Sequence, residues 1–410
     1  ATANGAGILI ENNTDYELNH ITANTSNGPF TAKWAGDIGN SLKISICPSA
    51  AAFASNLTST TSVTCNATSA GATTINVTGV ATANLVVGDL ISYDAGTSYV
   101  RVANLTATSI GIGTAVGTDG IVAGTAILRK WEYADNFGIA PGTSDYATSQ
   151  NALNDEMHVI VIDEDGKFTG AANTVVEKWA FVSKASDAKS ADGSSNYYKN
   201  VINDKSRYIW WTGHQPGGTN WGTSAAGLTF TQVNNNFTAS LSGGADGTIG
   251  NADIIAGYNK FANPDAVDVG LIISGPANQT TVTSMISLVE SRGDAVLFIS
   301  PTKAQAVDNA GDEVTDIVAY RDNLTSSSYV VMDSGWKYQY DKYNDVYRWV
   351  PLNGDIAGLC VRTDNERDPW FSPAGLNRGV IKNVVKLAWN PTKAERDELY
   401  KAGVNPDRKS

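Results

Sequence analysis

The sequence offers few side chains of the kinds that enzymes use to activate a nucleophile or a water molecule. Its histidines are His20, His158 and His214. The alternating apolar segment around His158 favours a packed imidazole over a catalytic base, and the other two lie in polar segments without a partner at metal-ligand spacing. No nucleophile elbow, phosphate-binding loop, zinc helix or dinucleotide-binding fingerprint occurs. We therefore predict no catalytic, cofactor-binding or metal-binding residues and no enzymatic activity.

Acidic and sulfur-containing side chains give equally weak signals. The acidic turn at 163–166, with the sequence DEDG, lacks the alternating ligands and closing glutamate of a calcium loop, so an Asp-Gly hairpin turn explains it better. Cys47, Cys65 and Cys360 are odd in number and widely spaced, which indicates neither a disulfide framework nor a zinc site. We expect Cys47 and Cys360, which lie in apolar segments, to be buried and unreactive.

One segment, GWKYQYDKYNDVYRWVPLNGDIAG, concentrates aromatic side chains around a charged turn. Residues two apart on a strand share a face, so Trp336, Tyr338 and Tyr340 are predicted to lie on one side of the first arm. Tyr347 and Trp349 lie together on the second arm. Such a hairpin suits a sugar-binding surface, and it equally suits a hairpin packed across the end of a domain. The sequence favours packing and leaves the sugar-binding surface open.

Composition limits the class of protein. The chain has 410 residues, 42% of them hydrophobic, which suffices for about two or three domains with apolar cores. With 41 acidic and 29 basic residues the net charge is -12, which disfavours nucleic acid and anionic membranes as partners. No apolar run approaches the length of about 20 residues that spans a bilayer, and the N-terminus lacks the features of a signal peptide. These features predict a globular protein that is soluble where it is made, with assembly in the cytosol.

Shifts in composition divide the chain into three parts. Arg101 is the only basic residue in 57–128, where short β-branched runs separated by Gly and Asp turns predict an inserted all-β barrel or sandwich. Residues 1–56 and 129–250 together predict an α+β middle domain. Within 251–410, apolar strands alternate with helices, which predicts an α/β domain with a parallel sheet covered on both faces. The predicted fold class is multidomain, with α+β and α/β parts and mixed sheets flanked by helices.

The last part of the chain carries a specific resemblance. The stretch WKYQYDKYNDVYRWVPLNGDIAGLCVRTDNERDPWFSPAGLNRGVIKNVVKLAWNPTKAERDELYKAGVNP closely resembles the sheath protein of contractile-tailed bacteriophages of the T4 type. AKWAGDIGNSLKISI and LSGGADGTIGNADIIAGYNKFANPDAVDVGLIISG are similar to it more weakly, so the resemblance covers 30–50 and 240–408. The signature residues, which are expected to be structural, are Trp336, Tyr338, Tyr340, Tyr343, Asp345, Trp349, Asp355, Gly358, Trp370, Pro373, Gly375, Asn377, Arg378 and Gly379.

This resemblance implies a fold and a function. It implies that the α/β domain is a subtilisin-like sheath core without the protease's catalytic triad, and that the protein is structural. Sheath subunits stack as hexameric rings around the tail tube and contract to drive the tube through the host cell envelope. The implied partners are other copies of the chain, the tail tube and the baseplate, with no nucleic acid, no membrane insertion and no cofactor. The implied location is the tail of the virion, after assembly in the host cytoplasm.

The chain departs from the family pattern at both ends and in the middle. It begins at ATANG and ends at Ser410, without the family's N-terminal arm and C-terminal domain, so we expect a fragment that stays monomeric by itself. The insertion at 57–128 lies outside the resemblance and is expected to form a surface domain. Two other classes of function stay open, namely a subtilisin-like α/β hydrolase and a carbohydrate-binding surface protein that uses the aromatic hairpin.

For the hairpin, the sequence predicts which side chains anchor it and which face water or a neighbouring subunit. The expected anchors are Trp336, Tyr340 and Trp349, and the expected exposed charges are Lys337, Asp341 and Lys342.

Overall fold

A computed structural model describes residues 1–24, 26–80 and 84–407 of the chain. The chain divides into two compact units, Ala1–Gly247 and Thr248–Ser410. Several sheets and mostly short helices give it a mixed α/β fold. Across the described ranges, no helix combines the length and the apolar character needed to cross a membrane.

The first unit is built mainly from strands. Its strands are β1 Phe30–Ala32, β2 Leu42–Cys47, β3 Ala54–Asn56, β4 Thr64–Cys65, β5 Thr74–Thr78, β6 Leu90–Ser92, β7 Val100–Leu105, β8 Ser109–Ile112, β9 Leu128–Lys130, β10 Glu156–Asp163, β11 Thr174–Ser183, β12 Ile209–Trp211 and β13 Phe237–Ser240. Its α-helices are α1 Asn13–Asp15, α2 Ala50–Phe53, α3 Leu57–Thr61, α4 Asp145–Ser149 and α5 Tyr198–Lys205. A π-helical turn lies at Tyr16–His20, and 3-10 turns lie at Asp37–Ser41 and Ala134–Asn136.

The main sheet of the first unit is antiparallel, with the strand order β11-β10-β2-β13. The alternation of Leu42, Ile44 and Ile46 is typical of a half-buried strand, yet β2 is buried almost throughout. It lies between β10 and β13, and separate apolar clusters cover its two faces. Trp131, in one of these clusters, donates its indole N–H to Ser45 Oγ at 2.8 Å, which satisfies a hydroxyl group inside the unit.

The connection between β10 and β11 differs from the Asp-Gly turn that the sequence suggests. The two strands pair antiparallel, but residues 164–173 join them. The buried Asp163 carboxylate organises this connection, accepting bonds from Ser41 Oγ at 2.6 Å and from the backbone N–H groups of Phe168 and Thr169 at 3.0 and 2.8 Å. The prediction of a tight turn is wrong because a carboxylate that binds backbone amides stabilises a longer loop.

His158 is a packed side chain at an irregular point of the main sheet. It is fully buried in β10, and its ring stacks on Phe137 with 4.4 Å between centroids. Nδ1 accepts the Phe181 N–H at 3.1 Å, so the ring proton lies on Nε2, which is 2.9 Å from the Ile139 oxygen. Phe181 has a φ of 53° at a β-bulge between β10 and β11, and burial lowers the pKa of His158. The imidazole therefore stabilises a bulge, in agreement with the packed role that the sequence favours.

Residues 54–130 contain a seven-stranded sheet with the order β3-β9-β6-β7-β8-β5-β4. Backbone bonds outside the named strands bring its ends together, from the Cys65 N–H to the Thr125 oxygen at 3.0 Å and from the Thr68 N–H to the Ile121 oxygen at 2.9 Å. The strands surround their own cluster of buried apolar side chains. This part of the chain therefore has a core of its own within the first unit.

A buried ion pair joins the seven-stranded sheet to the rest of the first unit. Arg129 in β9 donates from Nε to Asp89 Oδ2 at 2.8 Å, and both side chains are buried. Arg129 Nη1 donates to the carbonyl oxygens of Ala51 and Asn234, each at 3.1 Å. Asn236 Nδ2 donates to Asp89 Oδ1 at 2.7 Å. Both charges therefore have partners outside the seven-stranded sheet, and these bonds offset the cost of burying them.

The second unit combines two small sheets with seven helices among its described residues. Its strands are β14 Leu271–Ile273, β15 Val296–Ile299, β16 Val330–Met332, β17 Trp336–Asp341, β18 Val346–Pro351 and β19 Lys386–Leu387. Its helices are α6 Asn251–Asn259, α7 Gln279–Arg292, α8 Lys303–Ala306, α9 Glu313–Asp322, α10 Asn353–Glu366, α11 Gly375–Arg378 and α12 Lys393–Lys401.

A parallel sheet of order β14-β15-β16 forms the centre of the second unit and confirms the predicted parallel strands. Apolar side chains of α7, α9 and α12 pack in one core with this sheet. Helix α7 ends at Gly293, which has a φ of 71°, and Thr392 and Glu395 form a capping box at the start of α12. The edge strand β14 exposes Leu271 and Ile273, so the expectation of a sheet covered on both faces does not hold there.

We predict that Arg129→Ala lowers the free energy of unfolding of the first unit by about 3 to 5 kcal/mol, because it leaves the Asp89 carboxylate buried without its cation. Urea denaturation of the protein followed by circular dichroism measures this loss. The matched control is Arg101→Ala in β7, which removes the partly exposed pair with Glu132 at 2.7 Å and should cost less than about 1 kcal/mol. Equal losses in the two variants would contradict the role given to the buried pair.

Candidate functional site

The aromatic segment singled out in the sequence forms an antiparallel hairpin of β17 and β18. In its register Tyr338 faces Trp349, and Tyr340 faces Tyr347. Strand β19 pairs with the other edge of β17, which gives the order β18-β17-β19. Because directly opposed residues share a face, these four rings line one side of the hairpin. We call them the aromatic ladder.

The rings of the aromatic ladder cover one another. The centroid of Tyr338 is 5.0 Å from that of Trp349 and 5.5 Å from that of Tyr347, whose plane is tilted by only 19°. Lys386 Nζ lies 5.4 Å from the centre of the Tyr338 ring and 5.3 Å from that of Trp349. A sugar stacks on an open ring face, but these faces are directed at neighbouring rings and an ammonium group. The geometry therefore favours packing over a sugar-binding surface.

The base of the hairpin is buried on both faces. Trp336, which is 5% exposed, packs with Val307 and donates its indole N–H to the Pro301 oxygen at 2.8 Å. On the opposite face, Lys337 Nζ donates to Asp355 Oδ1 in α10 at 2.8 Å. The expectation that Lys337 faces water is therefore wrong, because the first residues of β17 lie between the domain core and α10.

The tip of the hairpin is exposed and satisfies its own polar groups. Tyr340 is 47% exposed, and its hydroxyl donates to Asp345 at 2.7 Å, so it does not anchor the hairpin as expected. Asp341 accepts a bond from Arg348 Nε at 3.0 Å and orders the turn, while Lys342 is exposed as predicted. The two errors have one cause: the first two residues of β17 are buried and Tyr340 near its end is exposed, so position along the strand decides exposure more than the choice of face.

The remaining signature residues lie in and after α10. Trp370 is 78% exposed and its ring is 6.5 Å from that of Phe371. Arg378 Nε donates to the Ser372 oxygen at 2.9 Å, and the Arg378 oxygen accepts a bond from Arg362 in α10. The segment that contains Trp370 and Arg378 is therefore bonded to α10 through Arg362. The hairpin is bonded to the same helix through Asp355. Gly358 lies within α10, and the residues in or beside α11 are Pro373, Gly375, Asn377 and Gly379.

A cluster of buried polar side chains, which the sequence analysis missed, lies directly after the parallel strands. Ser274, Ser300 and Asp333 follow β14, β15 and β16, and all three are buried. Asn353, the first residue of α10, donates from Nδ2 to Ser274 Oγ at 3.1 Å and from its backbone N–H to Ser300 Oγ at 3.0 Å. Ser300 Oγ donates to Asp333 Oδ2 at 2.7 Å. This polar cluster joins the ends of three strands to the start of α10.

The C-terminal segment of the described chain extends the same network. Asn405 pairs in parallel with Asp333, and its N–H donates to the Met332 oxygen at 2.9 Å. Asp407 accepts the Ser334 N–H at 2.9 Å, and its own N–H donates to Ser334 Oγ at 2.8 Å. Burial raises the pKa of Asp407 to about 6, and burial together with the nearby Asp407 carboxyl raises the pKa of Asp333 well above its usual range.

The polar cluster lies at the sheet edge where open α/β sheets bind ligands, but its groups bond to one another. Ser300 donates to the Asp333 carboxyl group and not to an imidazole, and residues 248–410 contain no histidine. The arrangement therefore stabilises the sheet and does not provide a nucleophile. A sequence signal exists, since three apolar strands each end in Ser or Asp, but only the fold shows that these side chains meet.

The three histidines lie in the first unit in separate surroundings. His214 Nδ1 lies 2.6 Å from the Tyr198 hydroxyl, and burial lowers its pKa; His20 Nε2 lies 3.7 Å from Asp15 Oδ2. Among the residues that the structure describes, no group of three or more His, Cys, Asp or Glu side chains is arranged to hold a metal ion.

The cysteines differ in burial. Cys47 and Cys65 are buried and Cys360 is half-buried. Burial raises the pKa of the Cys47 thiol to about 12, which keeps it protonated and unreactive at neutral pH.

Comparison with known proteins finds similarity to phage tail sheath proteins, most specifically in the second unit. Residues 247–410 match the family model described as phage tail sheath protein central domain. Over 183 residues the chain is 43% identical to the tail sheath protein of Enterobacteria phage T4, a match that covers 40% of this chain and 28% of that protein. It is 28% identical to the tail sheath protein of Salmonella phage ViI over 435 residues, covering 98% of this chain and 62% of that protein. The chain thus spans less than two thirds of the length of these relatives.

Solved structures give a much weaker likeness. The helical sheath of the anti-feeding prophage in its contracted state is 19% identical, with a TM-score of 0.29 over 40% of this chain and 41% of that chain. A TM-score of this size supports no statement about the fold or the assembly of this chain.

We predict that Trp336→Ala lowers the free energy of unfolding of the second unit by about 3 to 5 kcal/mol, because it empties a buried site at the base of the hairpin. The control is Tyr343→Ala at the hairpin tip, where the side chain is 87% exposed and the cost should stay within about 0.5 kcal/mol. Urea denaturation compares both with the unchanged protein. A negligible effect of Trp336→Ala would show that the hairpin is not anchored at this residue.

We predict that part of the stability of the second unit is lost as the pH rises from about 4 to 7. The pKa of an aspartate is 3.8 in the unfolded chain and about 6 for Asp407 in the folded unit. Between these pH values the folded state binds more protons than the unfolded state, so the stability falls as the pH rises through this range. Asp407→Asn should remove about 3 kcal/mol of this pH dependence, since each pH unit of the shift from 3.8 to about 6 corresponds to about 1.4 kcal/mol. Urea denaturation at a series of pH values measures it, with the exposed Asp265→Asn as control. An unchanged pH profile in Asp407→Asn would refute the prediction.

Proposed function

We propose, on the premise that residues 247–410 belong to the phage tail sheath family, that the chain is a structural subunit of a contractile phage tail sheath. In this proposal the subunits stack as hexameric rings around the tail tube and contract to drive the tube through the host cell envelope. Its partners are other copies of itself, the tail tube and the baseplate. It is part of the virion tail and assembles in the host cytoplasm.

The observation that carries this proposal is the extent of the similarity. The second unit matches the tail sheath central domain, and 28% identity to one tail sheath protein runs over 98% of this chain, so the first unit is included. The relatives are named for a structural role. The polar cluster supports the same conclusion, because its hydroxyl and carboxyl groups are bonded to one another and have no histidine beside them.

The finer architecture is also part of the proposal. The second unit is a subtilisin-like sheath core, with the domain borders at 1–56 plus 129–250, 57–128 and 251–410. The insertion 57–128 is a barrel-like surface domain, supported by the backbone bonds that join the ends of its sheet. Closure of a sheet removes free edges, which suits a domain placed on the outside of a crowded assembly.

The hydrolase and carbohydrate alternatives find no support in the geometry. A hydrolase needs an activated nucleophile, and the hydroxyl of Ser300 donates a hydrogen bond to the Asp333 carboxyl group. A glycan platform needs open ring faces, and in the aromatic ladder Tyr338 stacks on Tyr347 while Trp349 packs against Tyr338 at a tilt of 49°.

The test is electron microscopy of the complete gene product, purified and concentrated alone and together with tail tubes. We expect hexameric rings or tubular stacks whose bore accommodates the tail tube. A peptide-hydrolysis assay on the same preparation should give no activity above buffer. A product that stays monomeric under all conditions, or one whose hydrolytic activity disappears in Ser300→Ala, would overturn the proposal.

A further inference from the structure

An apolar surface stands out on the second unit, on residues 369–386, which we call the Trp370 segment. In this segment the side chains of Trp370 and Leu376 are 78% and 79% exposed, and those of Phe371, Val380 and Val385 are exposed as well. Exposed apolar residues that occur singly need no explanation, but a run of large ones concentrated in one short segment is typical of a protein–protein interface. An exposed tryptophan is also the side chain most often found at the energetic centre of such interfaces.

The Trp370 segment is basic in a chain that is strongly acidic. It carries Arg378, Lys382 and Lys386, and no Asp or Glu occurs between residues 369 and 394, whereas the whole chain has a net charge of -12. In the part of the second unit that the structure describes, none of these three cations forms an ion pair. The positive charges of this segment therefore have no acidic partner, although Lys386 lies over the Tyr338 and Trp349 rings and Arg378 over the Phe371 ring. The partner that fits the segment is acidic.

The same unit offers a surface of the opposite charge. Residues 308–316, the acidic segment, contain Asp308, Asp312, Glu313 and Asp316, and no Lys or Arg occurs between residues 304 and 320. Asp308 and Asp312 are exposed. Within the described residues no ion pair connects the acidic segment to the Trp370 segment.

We propose that the Trp370 segment of one subunit docks on the acidic segment of a second copy of the chain. This inference rests on the proposed function, because a sheath requires copies that bind one another. The two segments are different surfaces of the same unit, so the contact is head-to-tail: each subunit uses its Trp370 segment once and its acidic segment once. A head-to-tail contact repeats from subunit to subunit and generates a ring or a helix, whereas a contact of one surface with itself stops at a dimer. The exposed tryptophan supplies affinity, and the charges select partner and orientation.

The experiment uses the complete gene product and two charge-reversal variants, with assembly followed by sedimentation velocity and electron microscopy. The first variant, Lys382→Glu with Lys386→Glu, reverses the Trp370 segment, and the second, Asp308→Lys with Asp312→Lys, reverses the acidic segment. Each alone should raise the concentration needed for assembly at least tenfold. The variant that carries all four changes should return to within about threefold of the unchanged protein, because the charges are again complementary.

Mixing the two reversal variants separates a head-to-tail contact from other kinds. The unchanged Trp370 segment of one variant can meet the unchanged acidic segment of the other, and the two reversed segments can meet as they do in the variant with all four changes. An equimolar mixture should therefore assemble with the two variants in alternation, within about threefold of the concentration that the unchanged protein needs. Trp370→Ala is an additional variant that leaves all charges in place and should also weaken assembly at least tenfold. The control is Lys260→Glu with Lys401→Glu, two exposed lysines of the same unit outside both segments, which should leave assembly unchanged. Urea denaturation of each variant checks that it is folded.

The outcomes separate this inference from the proposed function. If the unchanged gene product assembles and the reversal variants and Trp370→Ala assemble at the same concentration, the docking inference is wrong and the sheath function stands. If the reversal variants fail to assemble, and neither the variant that carries all four changes nor the mixture recovers association, the two segments do not contact each other. The inference is then also wrong. If the unchanged product never self-associates, the proposed function itself fails.

Discussion

The second unit depends on a buried hydrogen-bond network centred on the Asp333 carboxyl group. Ser300 donates to it, Asn353 donates to Ser300, and the segment around Asp407 pairs beside it. Three parallel strands, a helix and the end of the described chain each contribute a polar group to this one place. Removal of any member leaves the others buried without partners, which costs more than the bond itself contributes. The hairpin and the Trp370 segment are both attached to α10, so the hydrogen bonds at the start of this helix position both of them.

The first unit solves a different problem with a buried charge. Its seven-stranded sheet has its own core and could pack on the main sheet in several orientations, since apolar surfaces are tolerant of direction. The Arg129–Asp89 pair accepts only one, because its remaining donors and acceptors must meet Ala51, Asn234 and Asn236. Buried pairs of this kind contribute little net stability over an apolar contact of the same size. Their effect here is to fix how the seven-stranded sheet is joined to the rest of the first unit.

The sequence predicts best where a local pattern decides the structure. The alternation of apolar strands with helices predicts the parallel strands β14, β15 and β16, and Gly293 at the end of α7 and the Thr392–Glu395 capping box are local signals that agree with the structure. It fails where distant parts of the chain decide. The alternation in β2 is read as one buried face, yet a second cluster covers the other. Lys337 is charged and therefore expected in water, but Asp355 lies beside it. The polar cluster escapes notice because its members are separated in the chain and each is unremarkable alone.

The parallel pairing of the C-terminal segment with β16 has a mechanical consequence. Bonds at Asn405 and Asp407 lie along the strand, next to Met332 and Ser334. A pull on the chain at Asp407 along the strand direction loads these bonds together in shear, and shear distributes the load where peeling would concentrate it on one bond at a time. Tension arriving at Asp407 is therefore transmitted into β16, the end strand of the parallel sheet, through several bonds at once.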